Sequence, residues 1–506
     1  MKFIGTILLG GLLLVHISGW SQGITIGSTN APHNSAVLDL QSSTKGFLPP
    51  RMSTAQRKAI PAPAAGVIVF DTDIKSLFLF DGSQWVRLSA TANSTTYEAI
   101  QVPVNDSLNK TAGNFAGANV AMNEKYALVG APGNEVGGVV YLYKKTIDGW
   151  SFVSKITAAD PQSNASFGWS VAINDNYFVV GAPAFDLPGI NNAGKIYVFN
   201  FGKGDSWSQQ TAITRAKPAI DEQFGTSVAI TTTTGGIPFV FAGTPKYSSS
   251  VTARESGIAE IYNLQNTRWT ISQTLVYKDL QFLDKFGECI EAHGDYMVVG
   301  APGKKNTTLN LEGAGAAYVY AFNGTSWALQ ERLAGNIARS GFGTSLSIKN
   351  NTLVVGAPWA PYSAGSTEAV TVYFRNISNR WQFVQTIYSS NSQGIASNSL
   401  FGLCVNHDDN FLLISVPGGR ITPTLGSISI PGVQGKVLVY KKEQASGIFR
   451  LYRVLLDDES ILFNEGISVF FGYSTAVVNG HYVIGIPGKH QGEIRRTGKI
   501  SFGYFE

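Results

Sequence analysis

The chain has 506 residues, too many for one ordinary hydrophobic core, so several domains or a repeat architecture are expected. Charged residues are 14% and aromatic residues 11%, with 55 glycines, which excludes a disordered or mainly helical chain and suits short strands joined by tight turns. The net charge of +4 is small for this length and spread along the chain, so nucleic-acid binding has no electrostatic basis here.

At the N-terminus, Lys2 precedes an apolar run from Ile7 to Ile17, and Gly19-Trp20-Ser21 offers small residues at both positions a signal peptidase reads. Residues 1–21 read as a secretory signal peptide rather than a membrane anchor, because the run is too short to span a bilayer comfortably. No later stretch reaches about 18 apolar residues, so no transmembrane segment is expected. Residues 22–88 form a separate small, mainly β module. Its second half, Gly66 to Leu88, alternates apolar and polar residues as a β-meander, and Arg51 to Ile60 suits a single helix. Residues 89–96 are a Ser/Thr-rich linker.

Residues 97–506 are organised by a repeat. Six units begin Phe-Gly, at Phe167, Phe224, Phe286, Phe342, Phe401 and Phe471, and Phe115-Ala116-Gly117 reads as the same signal with one residue inserted. Each unit continues with an apolar strand, a tight polar turn and a second strand ending in a Gly-Ala-Pro-like triplet, such as Gly181-Ala182-Pro183. Proline there removes a ladder donor and stops the strand. A variable loop and a third strand follow, and then a fourth strand that opens on an aromatic with an aliphatic residue six positions later. The pairs are Trp150/Ile156, Trp207/Ile213, Trp269/Leu275, Trp327/Leu333, Trp381/Ile387 and Phe449/Leu455. Even spacing predicts both side chains on one face, packing between blades rather than touching a ligand. The expected fold is all-β: a seven-bladed β-propeller of four-stranded antiparallel blades, preceded by the small module. The last unit ends after its third strand, and Tyr97 to Val104 is expected to supply the fourth.

The Phe-Gly and Gly-Ala-Pro pair resembles the FG-GAP repeat of integrin α subunits and their bacterial secreted relatives. The resemblance implies a seven-bladed propeller and an extracellular role in ligand binding or adhesion. Ala36-Val37-Leu38-Asp39-Leu40 and Gly46 to Met52 also look like an N-terminal module on secreted proteins of Gram-negative bacteria, which implies a place outside the cell or on its outer surface. Integrin-type blades carry calcium loops between their first two strands. Here those connections are hairpin turns such as Asn123-Glu124-Lys125 and Asn174-Asp175-Asn176, too poor in oxygen ligands for calcium. The nearest approach is Asn406 to Asn410, and no metal or cofactor is expected.

No catalytic constellation or metal-ligand spacing is visible, so no catalytic residue is nominated and the chain is expected not to be an enzyme. Cys289 and Cys404 hold equivalent places two units apart, too distant for a disulfide. The loops after the Gly-Ala-Pro triplets are the longer ones, which marks their face as the binding face. They carry Trp359, Tyr362, Lys304, Lys305, Arg254, Arg420, Arg495 and Arg496, aromatic and basic groups suited to an extracellular glycan or protein ligand. The expected function is a secreted or cell-surface binding or adhesion protein. A secreted polysaccharide lyase or glycoside hydrolase on the same scaffold, and a structural component of a surface assembly, are the alternatives. The sequence does not indicate an oligomeric state.

Overall fold

The computed structural model describes residues 24–27, 36–73, 76–88, 113–133, 137–147, 149–250, 252–277, 279–359, 368–391, 399–417, 435–444, 446–456, 470–488 and 498–505. They fall into two compact units divided between Ser83 and Gln84.

In the first unit, Ile24–Ile26 pairs in parallel with Leu38–Leu40. Arg51–Met52 runs parallel to Ile68–Asp71, which forms a hairpin with Ser76–Phe80. The helix is a single turn, Thr54–Lys58, shorter than the expected Arg51 to Ile60. Ser53 starts it with a capping box: its hydroxyl accepts from the Gln56 amide (3.2 Å), and the Gln56 side chain accepts from the Ser53 amide (2.9 Å). Arg57 is fully buried, paired with Asp71 (2.9 Å) and stacked over the Phe78 ring. Around this small polar anchor much apolar surface stays uncovered, including Val37 (81% exposed), Leu48 (69%) and Phe47 (66%).

The second unit holds six four-stranded antiparallel sheets and, among the described residues, a three-stranded seventh. The innermost strands are Asn119–Met122, Ser170–Ile173, Ser227–Thr232, Ile290–His293, Ser345–Lys349, Val405–His407 and Ser474–Val478. They define blades 1 to 7. The ring closes, because Ser474 Oγ of blade 7 donates to the Gly117 carbonyl of blade 1 (2.8 Å). The stretch expected to complete blade 7, Tyr97 to Val104, lies outside the described residues.

The two glycines of the repeat are partners across a blade interface. In each Phe-Gly pair the glycine adopts positive φ (92° at Gly168), which turns its carbonyl towards the preceding blade. There it meets the first glycine of the Gly-Ala-Pro triplet so closely that a Cβ on Gly130 would lie 2.0 Å from the Gly168 oxygen. The same contact recurs at Gly181, Gly243, Gly300, Gly356 and Gly485. In blade 1 no residue is inserted. Ala116 bridges Gly498 as Phe167 bridges Gly138, so it holds the phenylalanine position. Phe115, at φ 53°, takes the left-handed place that Ser166 takes in blade 2.

The outer strands correct a second expectation. Each of the six contains a β-bulge, for example between Phe152 and Ser154, which inverts the side-chain alternation halfway along. The aromatic and the aliphatic residue therefore lie on opposite faces. Trp327 packs against blade 3 with Phe241, whereas Leu333 packs against blade 5 with Leu346. One strand thereby joins two neighbours.

Candidate functional site: the central channel

The innermost strands surround a channel of about 1020 Å³ along the ring axis. Its two ends differ in construction. At the hairpin end, turns are tied across every blade interface. Asn123 Nδ2 donates to Asn174 O (3.0 Å), Asn174 Nδ2 to Thr232 Oγ1 (3.4 Å) and the Thr234 amide to Asp295 Oδ1 (2.9 Å). His293 Nε2 meets Asn350 Oδ1 (3.1 Å), and Asn350 Nδ2 donates to Asp409 Oδ1 (2.7 Å). The Gly480 amide donates to Asp408 Oδ2 (2.8 Å), and Asn479 Nδ2 closes the circuit on Glu124 Oε1 (2.7 Å). The oxygens of Asn406 to Asn410 are engaged in the same way. Asn406 Oδ1 accepts from the Val477 amide and Asp408 Oδ1 from the Asn410 and Phe411 amides. Among the described residues, no group of three or more His, Cys, Asp or Glu side chains is placed to hold a metal ion.

At the other end, beside the variable loops, a serine two residues after the Phe-Gly glycine donates to the corresponding glycine carbonyl of the next blade. Ser170, Ser227, Ser345 and Ser474 do so at 2.7–2.8 Å. In blades 4 and 6 that serine is replaced by Cys289 and Cys404, both free thiols. Cys404 lies against Thr475 Oγ1 (3.5 Å), and its amide donates to Ser415 Oγ (2.7 Å), where Ser415 replaces the triplet glycine. Burial raises both thiol pKa values and keeps the groups neutral.

The residue after each Phe-Gly forms a collar at this end: Ala118, Trp169, Thr226, Glu288, Thr344, Leu403 and Tyr473. Trp169 is 47% exposed, and Trp359 joins the collar by donating its indole N–H to Thr344 Oγ1 (3.1 Å). Glu288 has its pKa raised by burial, partly offset by the charges of Lys285 and Lys246.

Deeper in, the seven strands present Ala121, Ala172, Ala229, Glu291, Ser347, Asn406 and Ala476 at one level. Glu291 is the single carboxyl there, and burial alone pushes its pKa up to about 8. In blade 6, His407 Nδ1 meets Ser347 Oγ (2.8 Å), and burial pulls the imidazole down to about 3.

Of the residues nominated from the sequence, Trp359 stands beside the collar. Lys304 is buried in an ion pair with Asp284 (2.9 Å), which removes it from the loop surface. Lys305 pairs with Glu312 (2.5 Å), and Arg254 is exposed on its loop. Tyr362, Arg420, Arg495 and Arg496 lie outside the described residues. Trp169, Glu288, Tyr473 and Glu291 were not nominated. Aligning the residue after each Phe-Gly would have exposed the first three as a tryptophan, a glutamate and a tyrosine in a column of smaller groups.

Among the described residues no helix is long and apolar enough to cross a membrane. Residues 150–199 and 269–320 match the model of the FG-GAP repeat, each running from the outer strand of one blade into the third strand of the next. Residues 25–99 match a phage tail like trimerisation region. Among solved structures, the chain is similar to a periplasmic gluconolactonase of Pseudomonas aeruginosa (12% identity, TM-score 0.41, covering 75% of this chain and 92% of that one). It is also similar to the Pan2 WD40 domain of Neurospora crassa (7% identity, TM-score 0.40, covering 77% and 89%). No curated protein matches the chain. With its seven repeated blades and the two FG-GAP matches along them, the chain is a β-propeller carrying FG-GAP repeats, preceded by a segment that matches a phage tail like trimerisation region.

Proposed function

We propose that the chain is a secreted, non-catalytic binding protein whose propeller presents the collar end of its channel to an extracellular glycan or protein. The observation that carries this reading is the collar itself, where the half-exposed Trp169 indole lines an open channel end and Trp359 is tied beside it through Thr344. Glycoside hydrolysis by paired carboxylates needs two carboxyl groups flanking the bond to be broken. Glu288 and Glu291 stand three residues apart in blade 4 and lie on one wall, while the other lining acids, Glu124 and Asp175, sit at the hairpin end. That arrangement favours binding over hydrolysis.

The N-terminal module joins three copies, and avidity then multiplies modest affinities at each ring. The exposed Val37, Phe47 and Leu48 lie within the matched residues 25–99, and a small sheet pair with that much bare apolar surface suits burial against its own copies. A glycan array probed with the secreted chain tests the binding reading. Retained signal with Trp169 and Trp359 both changed to Ala would remove it, and product formation from any bound glycan would return the enzyme alternative. Light scattering of the full chain should give three times the single-chain mass, falling to the single mass with Phe47→Ser and Leu48→Ser together.

A further inference from the structure

We infer that the channel receives the alkylammonium end of a ligand, with Glu291 as its counter-ion inside and Trp169 and Tyr473 as the aromatic collar it passes. This rests on reading the collar end as the binding face. It adds the chemical class of the group that enters.

Three observations converge on it. Blades 1, 2, 3 and 7 show that alanine serves the fold at this level of the channel, through Ala121, Ala172, Ala229 and Ala476. Blade 4 instead carries Glu291, a carboxyl for which the described structure shows neither a hydrogen bond nor an ion pair. Placing such a group in a channel wall costs stability unless something pairs with it. The collar lies ~10 Å away along the strand, from the rise of three residues. There, Trp169 and Tyr473 supply aromatic rings, which attract cations through their faces, and Glu288 adds a second carboxyl. Aromatic rings outside and an unpaired carboxylate inside form a path for an organic cation, and a channel of about 1020 Å³ admits a slender one.

The titratable groups near Glu291 do not neutralise it. Cys289 and Cys404 are held as thiols, Glu288 is of like charge, and the basic groups lining the channel, His293, Lys349 and His407, belong to its hairpin half. Because burial holds the Glu291 proton into the neutral range, binding should strengthen as pH rises and the carboxylate forms.

Titration calorimetry of the full chain with 1,6-diaminohexane tests this, with 1,6-hexanediol as the uncharged control of the same length. The diamine should bind and the diol should not. Glu291→Ala, which installs the residue of four other blades, should weaken diamine binding by ~10-fold or more, and Trp169→Ala should weaken it by ~3-fold or more. The wild-type affinity should rise between about pH 6 and pH 9, across the range set by the Glu291 shift. Equal binding of diamine and diol, equal diamine affinity in wild type and a folded Glu291→Ala chain, or no diamine binding would each overturn the inference. If the array still reports a ligand while the diamine is ignored, the binding reading stands and only the amine assignment falls. Silence in both removes both.

Discussion

The two ends of the propeller are closed by different means. The hairpin end is a complete circuit of turn-to-turn hydrogen bonds, one at each of the seven interfaces. The collar end uses a serine-to-glycine bond at four interfaces and departs from it at three, where Cys289, Cys404 and Asn119 stand, the Asn119 side-chain oxygen accepting instead from the Val171 amide. Two of the three departures fall in the blade that carries Glu288 and Glu291 and in the blade next to Tyr473. Regularity is kept where the ring needs only to hold. It is relaxed in the blade that brings the two carboxyls Glu288 and Glu291 to the channel.

The largest effect should come from close glycine packing between blades, which belongs to the collar end. Gly243→Val would put side-chain carbon into the Gly287 carbonyl, whose oxygen already lies 2.0 Å from an added Cβ. A loss of at least about 4 kcal/mol, seen as failure to give a cooperative denaturant transition, is expected. A wild-type-like midpoint would show that blades slide apart cheaply.

Next comes pH. Glu291 titrates near 8 in the folded chain but with an ordinary glutamate pKa when unfolded, so the folded state holds the extra proton between those values. Stability should therefore fall as pH rises from about 4.5 towards 8, with a slope of up to about 1.4 kcal/mol per unit, and level off above. Glu291→Ala should flatten that limb. On the acid side His407, held down to about 3, works the other way: stability is lost as pH falls below the ordinary histidine range. Urea midpoints across pH for the two chains separate the limbs.

Smaller effects distinguish the ends directly. Ser227→Ala should cost about 1–2 kcal/mol by leaving the buried Gly287 carbonyl without its donor. Cys289→Ser should gain about 1 kcal/mol by restoring the bond that blade 4 lacks. If both changes are silent in denaturant melts, the serine contacts are incidental. Asn479→Gly, which keeps the positive φ (49°) of that turn position, should cost only about 0.5 kcal/mol, because water replaces the lost partner at the exposed hairpin end. Amide exchange at Glu124 and Lys125 should nevertheless quicken.

The blades were legible because their signals are local: Phe-Gly, the triplet and the turn residues each report a backbone need within a few positions. What escaped were parity and depth. The six-residue spacing from Trp327 to Leu333 implies one face until a bulge shifts the register, and no residue type announces that bulge. Phe115 reads as the repeat's phenylalanine because an aromatic is expected there, yet the backbone assigns that place to Ala116. Lys304 is a loop lysine by position, and only the fold brings Asp284 beneath it. Trp169 was hidden by regularity, since Phe-Gly-Trp-Ser reads as frame until the frame is known to line a channel.

The contact between blades 7 and 1 has a consequence for connectivity. Ser474 reaches Gly117 with the same bond that Ser170 makes to Gly225, so the contact between blades 7 and 1 is built like the internal ones that carry that serine. A ring without a privileged break should tolerate circular permutation. A chain opened within the Gly235-Gly236 turn, with its old ends joined by a flexible tether, should rebuild the same channel around Glu291.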